Sequence, residues 1–419
     1  MPWAAWPVET LTGVVGPRMQ LSSGEIEIKL NEIEVAKVVV WDEWLDRVDP
    51  LWWTCWRTSL LICHRSAASQ EWTPIFLGPM TAPPQESTAS QGTRPGTHEF
   101  VAAGVREIFD RRVVTAVDDS MVNARRVDED FWGGKAGFLA NQNQIDRIKH
   151  SNVRMDGWSY AAIAYHLVER AMAKPNGWLP IEFYEPSREK GLSAAQGGHT
   201  REYEGFNVAN NTCHKLLSEL SNCTGGPDIM FRPMFWHGSN LESNPLGHVI
   251  TVGHRMYAGR RNDVYIPQDE ILGWDLTAPK GPFGAMRVNV RADGMANRVW
   301  AVGDGEGASV AMSTLQIAAP DMPLLERVYS YGTSEKTTNL DKHTLADLRS
   351  SFRPHWSVSV PVRMDHPNTA IERWFVGDRV RLNIPHHRVI PAGDRLATIT
   401  STRINLSSEL ADVTFVEDV

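Results

Sequence analysis

Strict alternation limits this chain more than any other feature. Glu25-Ile-Glu-Ile-Lys-Leu30 switches between polar and apolar at every residue, the period of a strand with one face in a core and the other in water. Segments rich in β-branched and aromatic residues follow at 35–41, 52–63, 73–77, 100–105 and 111–117. A chain made of so many short strands has to stack them in layered sheets. Between residues 78 and 97, Pro79, Pro83, Pro84, Gly92, Pro95 and Gly96 stand among Ser and Thr, which reads as a long loop between strands.

The pattern breaks in the middle. Residues 118–151 are polar and Gly-bearing and read as mostly irregular. Ser159 then stands as an N-cap before Ile163, Leu167, Val168, Ala171 and Met172, which share one helical face; Pro175-Asn-Gly177 stops that helix. A second helix is predicted from near Asn207, with Val208, Cys213, Leu216, Leu217 and Leu220 on one face. It ends at Thr224-Gly-Gly-Pro227, where glycine can take the left-handed turn and proline blocks continuation. Strands return at 229–235, 248–253, 286–290 and 299–302. A helix fits 340–352, and further strands fit 356–362, 376–384, 397–406 and 413–416. The fold class is therefore α+β, mostly β with an inserted α/β part. The expected division is 1–117, 118–246, 247–338 and 339–419: a β domain, a central α/β domain, a second β domain, and a C-terminal segment of helix plus strands.

Composition narrows the function. With 419 residues, 42% hydrophobic and 22% charged, the chain can bury sizeable cores without a disulfide framework. A net charge of −8 lacks the basic stripe of a nucleic-acid reader. Cys55, Cys63, Cys213 and Cys223 show no CxxC spacing, and free, buried thiols are expected, as in a reducing cytoplasm. The N-terminus carries no basic, apolar leader pattern, and no apolar run reaches membrane-spanning length. Export by a signal peptide and membrane insertion are not expected. Sixteen Trp outnumber thirteen Phe and eight Tyr, which suits cores, protein interfaces or a carbohydrate-binding face.

Catalytic patterns are weak. Gly303-Asp-Gly-Glu-Gly-Ala308 resembles a dinucleotide turn, but Pro320 and Pro323 come too soon for the helix such a site needs, so a hairpin turn is expected. His366 and the pair His386-His387 have no zinc-site spacing. Cys213 and His214 are helix neighbours pointing about 100° apart and cannot easily pair as nucleophile and base; Cys213 is expected in the core and His214 on the surface. The acidic runs Asp118-Asp119 and Asp128-Glu129-Asp130 read as solvated surface. No catalytic residue, metal site or cofactor is assigned.

Three patterns in order carry a resemblance: Trp72-Thr-Pro-Ile-Phe-Leu-Gly-Pro79; the second helix, then Gly225-Gly-Pro-Asp228 and the strand Ile229-Met-Phe-Arg-Pro233; and, after the last helix, Gly377-Asp-Arg-Val380 followed by the final strands. Together they resemble the tail hub (minor tail protein) family of actinobacterial siphophages, related in fold to the baseplate hubs of contractile phages. The positions that carry the pattern are Gly78, Pro79, Gly225, Gly226, Asp228, Gly377, Asp378 and Val380.

The resemblance implies two tube-like β-barrels per subunit and a homotrimeric ring at the tail tip of a virion assembled in the host cytoplasm. That ring would join the distal tail protein ring to tip or fibre proteins. It would surround the lumen through which the tape-measure protein and then DNA pass at genome ejection, without specific DNA binding. A C-terminal peptidoglycan-cleaving domain, present in some members, is not expected after residue 416. The alternatives are a hexameric distal tail protein, a Trp-rich carbohydrate-binding receptor module and an unrecognised hydrolase.

Overall fold

The computed structural model describes residues 2–65, 71–88, 96–116, 125–131, 134–138, 142–174, 176–184, 198–223, 225–236, 241, 249–259, 271–292, 294–303, 305, 309–331, 337–352, 355–388, 390 and 392–417. The segments with alternating or β-branched character form a ten-stranded sheet that uses both ends of the chain. Its path runs Arg287–Arg291, His355–Arg363, Leu410–Glu417, Gly393–Asn405, Leu21–Lys29, Val35–Trp41, Thr97–Ala103, Gln85–Thr88. Arg379–Ile384 pairs with Gly393–Asn405 off this path, and Gly273–Asp275 lies parallel to Arg379–Ile384. The closing pair sets Glu25 opposite Asn405 and Lys29 opposite Ser401. Alternation then sends Ile26, Ile28, Val38 and Phe100 into one core with Val358, Val360, Ile399, Val413 and Phe415. Segments 1–117 and 339–419 thus share a sheet and a core.

A second sheet stacks Trp3–Glu9, Thr58–Arg65 and Trp72–Pro79, all antiparallel. Trp3–Glu9 does not alternate because both its faces are covered. Trp3 and Ala5 enter the large core, while Ala4, Trp6 and Val8 meet Leu61, Cys63, Trp72 and Val252 in a smaller one.

The central unit holds the helix Tyr160–Met172, with Ser159 Oγ accepting from the Ala162 N–H at 3.1 Å. The helix Cys213–Ser221 starts later than its sequence suggests, and Val208 is 46% exposed. The asparagines before it bond locally instead: Asn210 Nδ2 donates to Asn207 Oδ1, and Asn211 Nδ2 to the Glu204 carbonyl, each at 2.7 Å. Val153–Trp158 pairs with His199–Tyr203, and Val252–Ala258 lies between Ile181–Phe183 and Ile229–Phe235. The core of this unit extends from Val105 to Met256. Within 118–151, expected to be irregular, the structure has a hairpin, Arg125–Phe131 with Gly134–Phe138, and the helix Gln142–Lys149. Asp118 and Asp119 lie outside the described residues. No strand forms at 111–116, the described part of the strand expected at 111–117: after the short helix Arg106–Asp110 the chain makes a single bridge, Val113 to Thr212.

Arg298–Val302 lies between Met312–Gln316 and Glu326–Ser330 in a third layer. The helix Thr337–Ser351 packs Leu340 and Leu348 on its inner face, against Ala301 and Val299. Val302 stands opposite Met312; of the segment 303–308, expected to be a hairpin turn, residues 304 and 306–308 lie outside the described residues.

The mostly-β, α+β class holds. The tube-like barrels do not: no sheet closes into a barrel among the described residues. Residues 247–338 are divided among the central, large and small sheets. Closure also needs edge strands to meet, and Arg287–Arg291 and Gln85–Thr88 remain at opposite ends of the ten-stranded path. Gln85–Thr88 lies within the stretch expected to be loop; 89–95 are outside the described residues. Among the described residues no helix is long and apolar enough to cross a membrane.

Candidate assembly site

Six of the eight pattern positions belong to two segments that meet at one joint. The helix Cys213–Ser221 stops as its sequence requires: Gly225 takes φ +73°, and the Gly226 N–H donates to the Cys223 carbonyl at 2.8 Å. The chain then arrives at Asp228 beside the hairpin turn that follows Leu21–Lys29. Asn31, at φ +61°, donates from Nδ2 to Asp228 Oδ1 at 3.0 Å and accepts the Ile229 N–H on Oδ1 at 2.8 Å. Two residues on, Met230 packs against Gly377, where an added Cβ would lie 2.1 Å from Met230 Sδ and 3.2 Å from Leu30. Gly377 at φ +94° therefore serves both its turn and this contact. Asp378 is buried, accepts the Phe375 N–H on Oδ2 at 2.9 Å, and accepts the Ile399 N–H on its carbonyl at 2.9 Å. Val380 is buried opposite Ala397.

Gly78 and Pro79 lie in a different joint. The backbone at Gly78 runs so close to Ala103 that a Cβ would sit 1.8 Å from its carbonyl oxygen. Next to it, His254 reaches across from the central sheet and donates from Nε2 to the Leu77 carbonyl at 2.9 Å. Burial pushes the His254 imidazole down to about 4, so the ring is neutral near pH 7. Asn31 and His254 were not singled out in the sequence. Asn31 had a readable signal, an Asn in a tight turn between two strands, where the left-handed region is accessible. His254 had none.

The solvent face of the ten-stranded sheet is polar and locally neutralised. Glu27, Arg287, Ser359, Arg403, Asp412 and Thr414 surround a shallow hollow of about 250 Å³. Arg403 Nη2 lies 2.8 Å from Glu25 Oε2, Lys29 Nζ 3.0 Å from Glu27 Oε1, and the Ser359 and Thr414 hydroxyls are 2.9 Å apart. The hydrogen bond from Arg403 holds the Glu25 carboxyl below its ordinary range. This face can be wetted and slid along, and paired charges leave little local field to hold a polyanion.

The thiols are free: Cys63, Cys213 and Cys223 are buried and Cys55 is half-buried. Burial pushes the Cys213 thiol up to about 12, which keeps it protonated and poorly nucleophilic. His214 is half-buried and its imidazole is shifted down by burial, so it is not the surface group expected. His386 is exposed after Pro385. Among the described residues no group of three His, Cys, Asp or Glu could hold a metal ion.

No protein-family model and no curated protein matches the sequence. The fold does have counterparts. The tail protein from Neisseria meningitidis MC58 matches 100% of this chain and 97% of its own, with a TM-score of 0.52 at 11% identity. The 43 kDa tail protein of prophage MuSo2 from Shewanella oneidensis matches 99% of this chain and 98% of its own, with a TM-score of 0.52 at 8% identity. The chain thus shares the fold of these two tail proteins along essentially its whole length.

Proposed function

We propose that this chain is a non-enzymatic structural protein of a bacteriophage tail, the hub at the tail tip. In this reading three copies form a ring that joins the tail tube and distal tail ring to tip or fibre proteins. The ring surrounds the passage used by the tape-measure protein and the DNA. The observation that carries the proposal is the ten-stranded sheet, with an edge strand at either end among the described residues and a charge-paired polar face. Open edges present rows of unpaired N–H and C=O groups, and proteins usually cover or pair them. A ring of copies supplies that cover, and the polar face suits a channel wall that must not retain DNA. The likeness to two tail proteins supports the same reading. The test is a reconstruction of the intact tail with this chain located and its copies counted. Three copies around the tail axis at the tip are expected. Six copies one layer higher would assign it to the distal tail ring instead.

A further inference from the structure

The strands Arg287–Arg291 and His355–Arg363 are neighbours in the large sheet, and Arg291 stands opposite His355. The small sheet and the helix Thr337–Ser351 lie between them in the chain. This unit therefore leaves and re-enters the large sheet at one paired position. At its base the Ala296 N–H donates to the Ser351 carbonyl at 2.9 Å, so residues 296–351 close on themselves. Their apolar side chains do the same: Ala296, Val299 and Leu348 form one buried cluster, and Ala301, Tyr331 and Leu340 another. Among the described residues neither cluster includes a residue of the large or the central core.

Polar groups tie this unit to the central one. His343 is 5% exposed and stacks on Tyr331 with ring centroids 4.2 Å apart. It is hydrogen-bonded to the main chain of Asn222, the C-cap of the helix Cys213–Ser221. Its Nδ1 is buried without a partner, so the bond runs from Nε2–H to the Asn222 carbonyl. Carbonyls at a helix C-terminus have no partner within the helix and are open to such a donor. Burial, with the Arg201 guanidinium of the central unit, pushes the imidazole down to about 4, so near pH 7 the ring is an uncharged donor. On the central side the His199 imidazole is lowered by burial and by Lys342 of the helix. Cations thus stand on both sides of the seam, and a neutral hydrogen bond crosses it where it is buried. Units joined by a polar interface without a shared apolar core move relative to one another by default.

We propose that residues 296–351 form a hinged flap, latched against the central unit by His343 on the Asn222 carbonyl, that swings away as a folded body when the latch is released. The hinge is the pair of connections beside Arg291 and His355, where a small number of backbone torsions can absorb a domain rotation. The large sheet keeps its pairing during the swing, because both attachment strands are hydrogen-bonded to each other within it.

The full chain is tested by pulsed electron paramagnetic resonance between spin labels at Met312→Cys on the flap and Val208→Cys on the central unit, both exposed positions. The parent carries Cys55→Ser and Cys223→Ala, so that the native thiols left, Cys63 and Cys213, are fully buried. One short distance should dominate in the parent. His343→Ala is expected to raise the population of longer distances about fivefold, the effect of one lost hydrogen bond. His343→Gln, whose side-chain amide can donate to the same carbonyl, should return it close to the parent. Hydrogen exchange at the amides of Arg298–Val302 is followed in the same samples and should stay slow in all three. An unchanged distance distribution in His343→Ala overturns the flap. Longer distances that arise only together with fast exchange at Arg298–Val302 also overturn it, since the unit then unfolds instead of swinging. A His343→Gln chain that behaves like His343→Ala overturns the latch.

Discussion

Asn31 shows how much of a joint can depend on one side chain. It takes a left-handed backbone, donates to Asp228 and accepts the Ile229 N–H. Replacing it with Ala removes the acceptor of a main-chain donor and puts at a left-handed φ a residue that tolerates that region less well than Asn. A loss of about 1–3 kcal/mol is expected in denaturant unfolding. Asn31→Gly removes the same bonds but tolerates the backbone, and should recover up to about 1 kcal/mol of that loss. Equal losses would show that backbone conformation contributes nothing here. Gly225, Gly226 and Asp228 were legible as a helix stop because a helix end needs a left-handed residue and a chain reversal. That they meet Asn31, and that Gly377 receives Met230, was not legible, because these partners are far apart in the chain.

Among the elements, alternating strands such as Leu21–Lys29 were read correctly and the fully buried strand Trp3–Glu9 was missed. Alternation reports a single wet face, and a strand covered on both sides has none. The strand Val252–Ala258 illustrates a coupling between sheets, through His254 to the Leu77 carbonyl. Its imidazole sits at about 4, against an ordinary value of 6.5. The unfolded chain therefore binds a proton that the folded chain refuses between these values. Stability from this group is complete above pH 6.5 and is lost as pH falls towards 4, by up to about 3 kcal/mol. Unfolding midpoints of wild type and His254→Gln, measured from pH 7.5 to 4.5, should diverge at neutral pH and converge on acidification. Parallel curves would remove His254 as the source.

At the scale of the whole molecule, both ends of the chain build one sheet. Leu21–Lys29 pairs with Gly393–Asn405, and the core on their inner side draws on both. Ending the chain after residue 338, at the boundary suggested by the sequence, would expose Ile26, Ile28, Val38 and Phe100 together. That truncation should show no cooperative thermal transition by circular dichroism. A sharp transition near the wild-type midpoint would mean the N-terminal strands fold without their C-terminal partners. The truncation is also expected to lose any self-association, since the sheet edge Arg287–Arg291 pairs with His355–Arg363.

By itself the sequence determined the mostly-β class, the helix Tyr160–Met172 with its Ser159 cap, the stop after Cys213–Ser221 and many strand positions, because these follow from periodicity and local turn chemistry. Tertiary structure alone decided which strands pair. It placed Trp3–Glu9 between two cores, joined residues 21–41 to 393–417, and assigned the helix Thr337–Ser351 to the small sheet before it. Pairing across hundreds of residues depends on complementary faces meeting in space, and a single strand's pattern says which face is apolar without saying what will cover it.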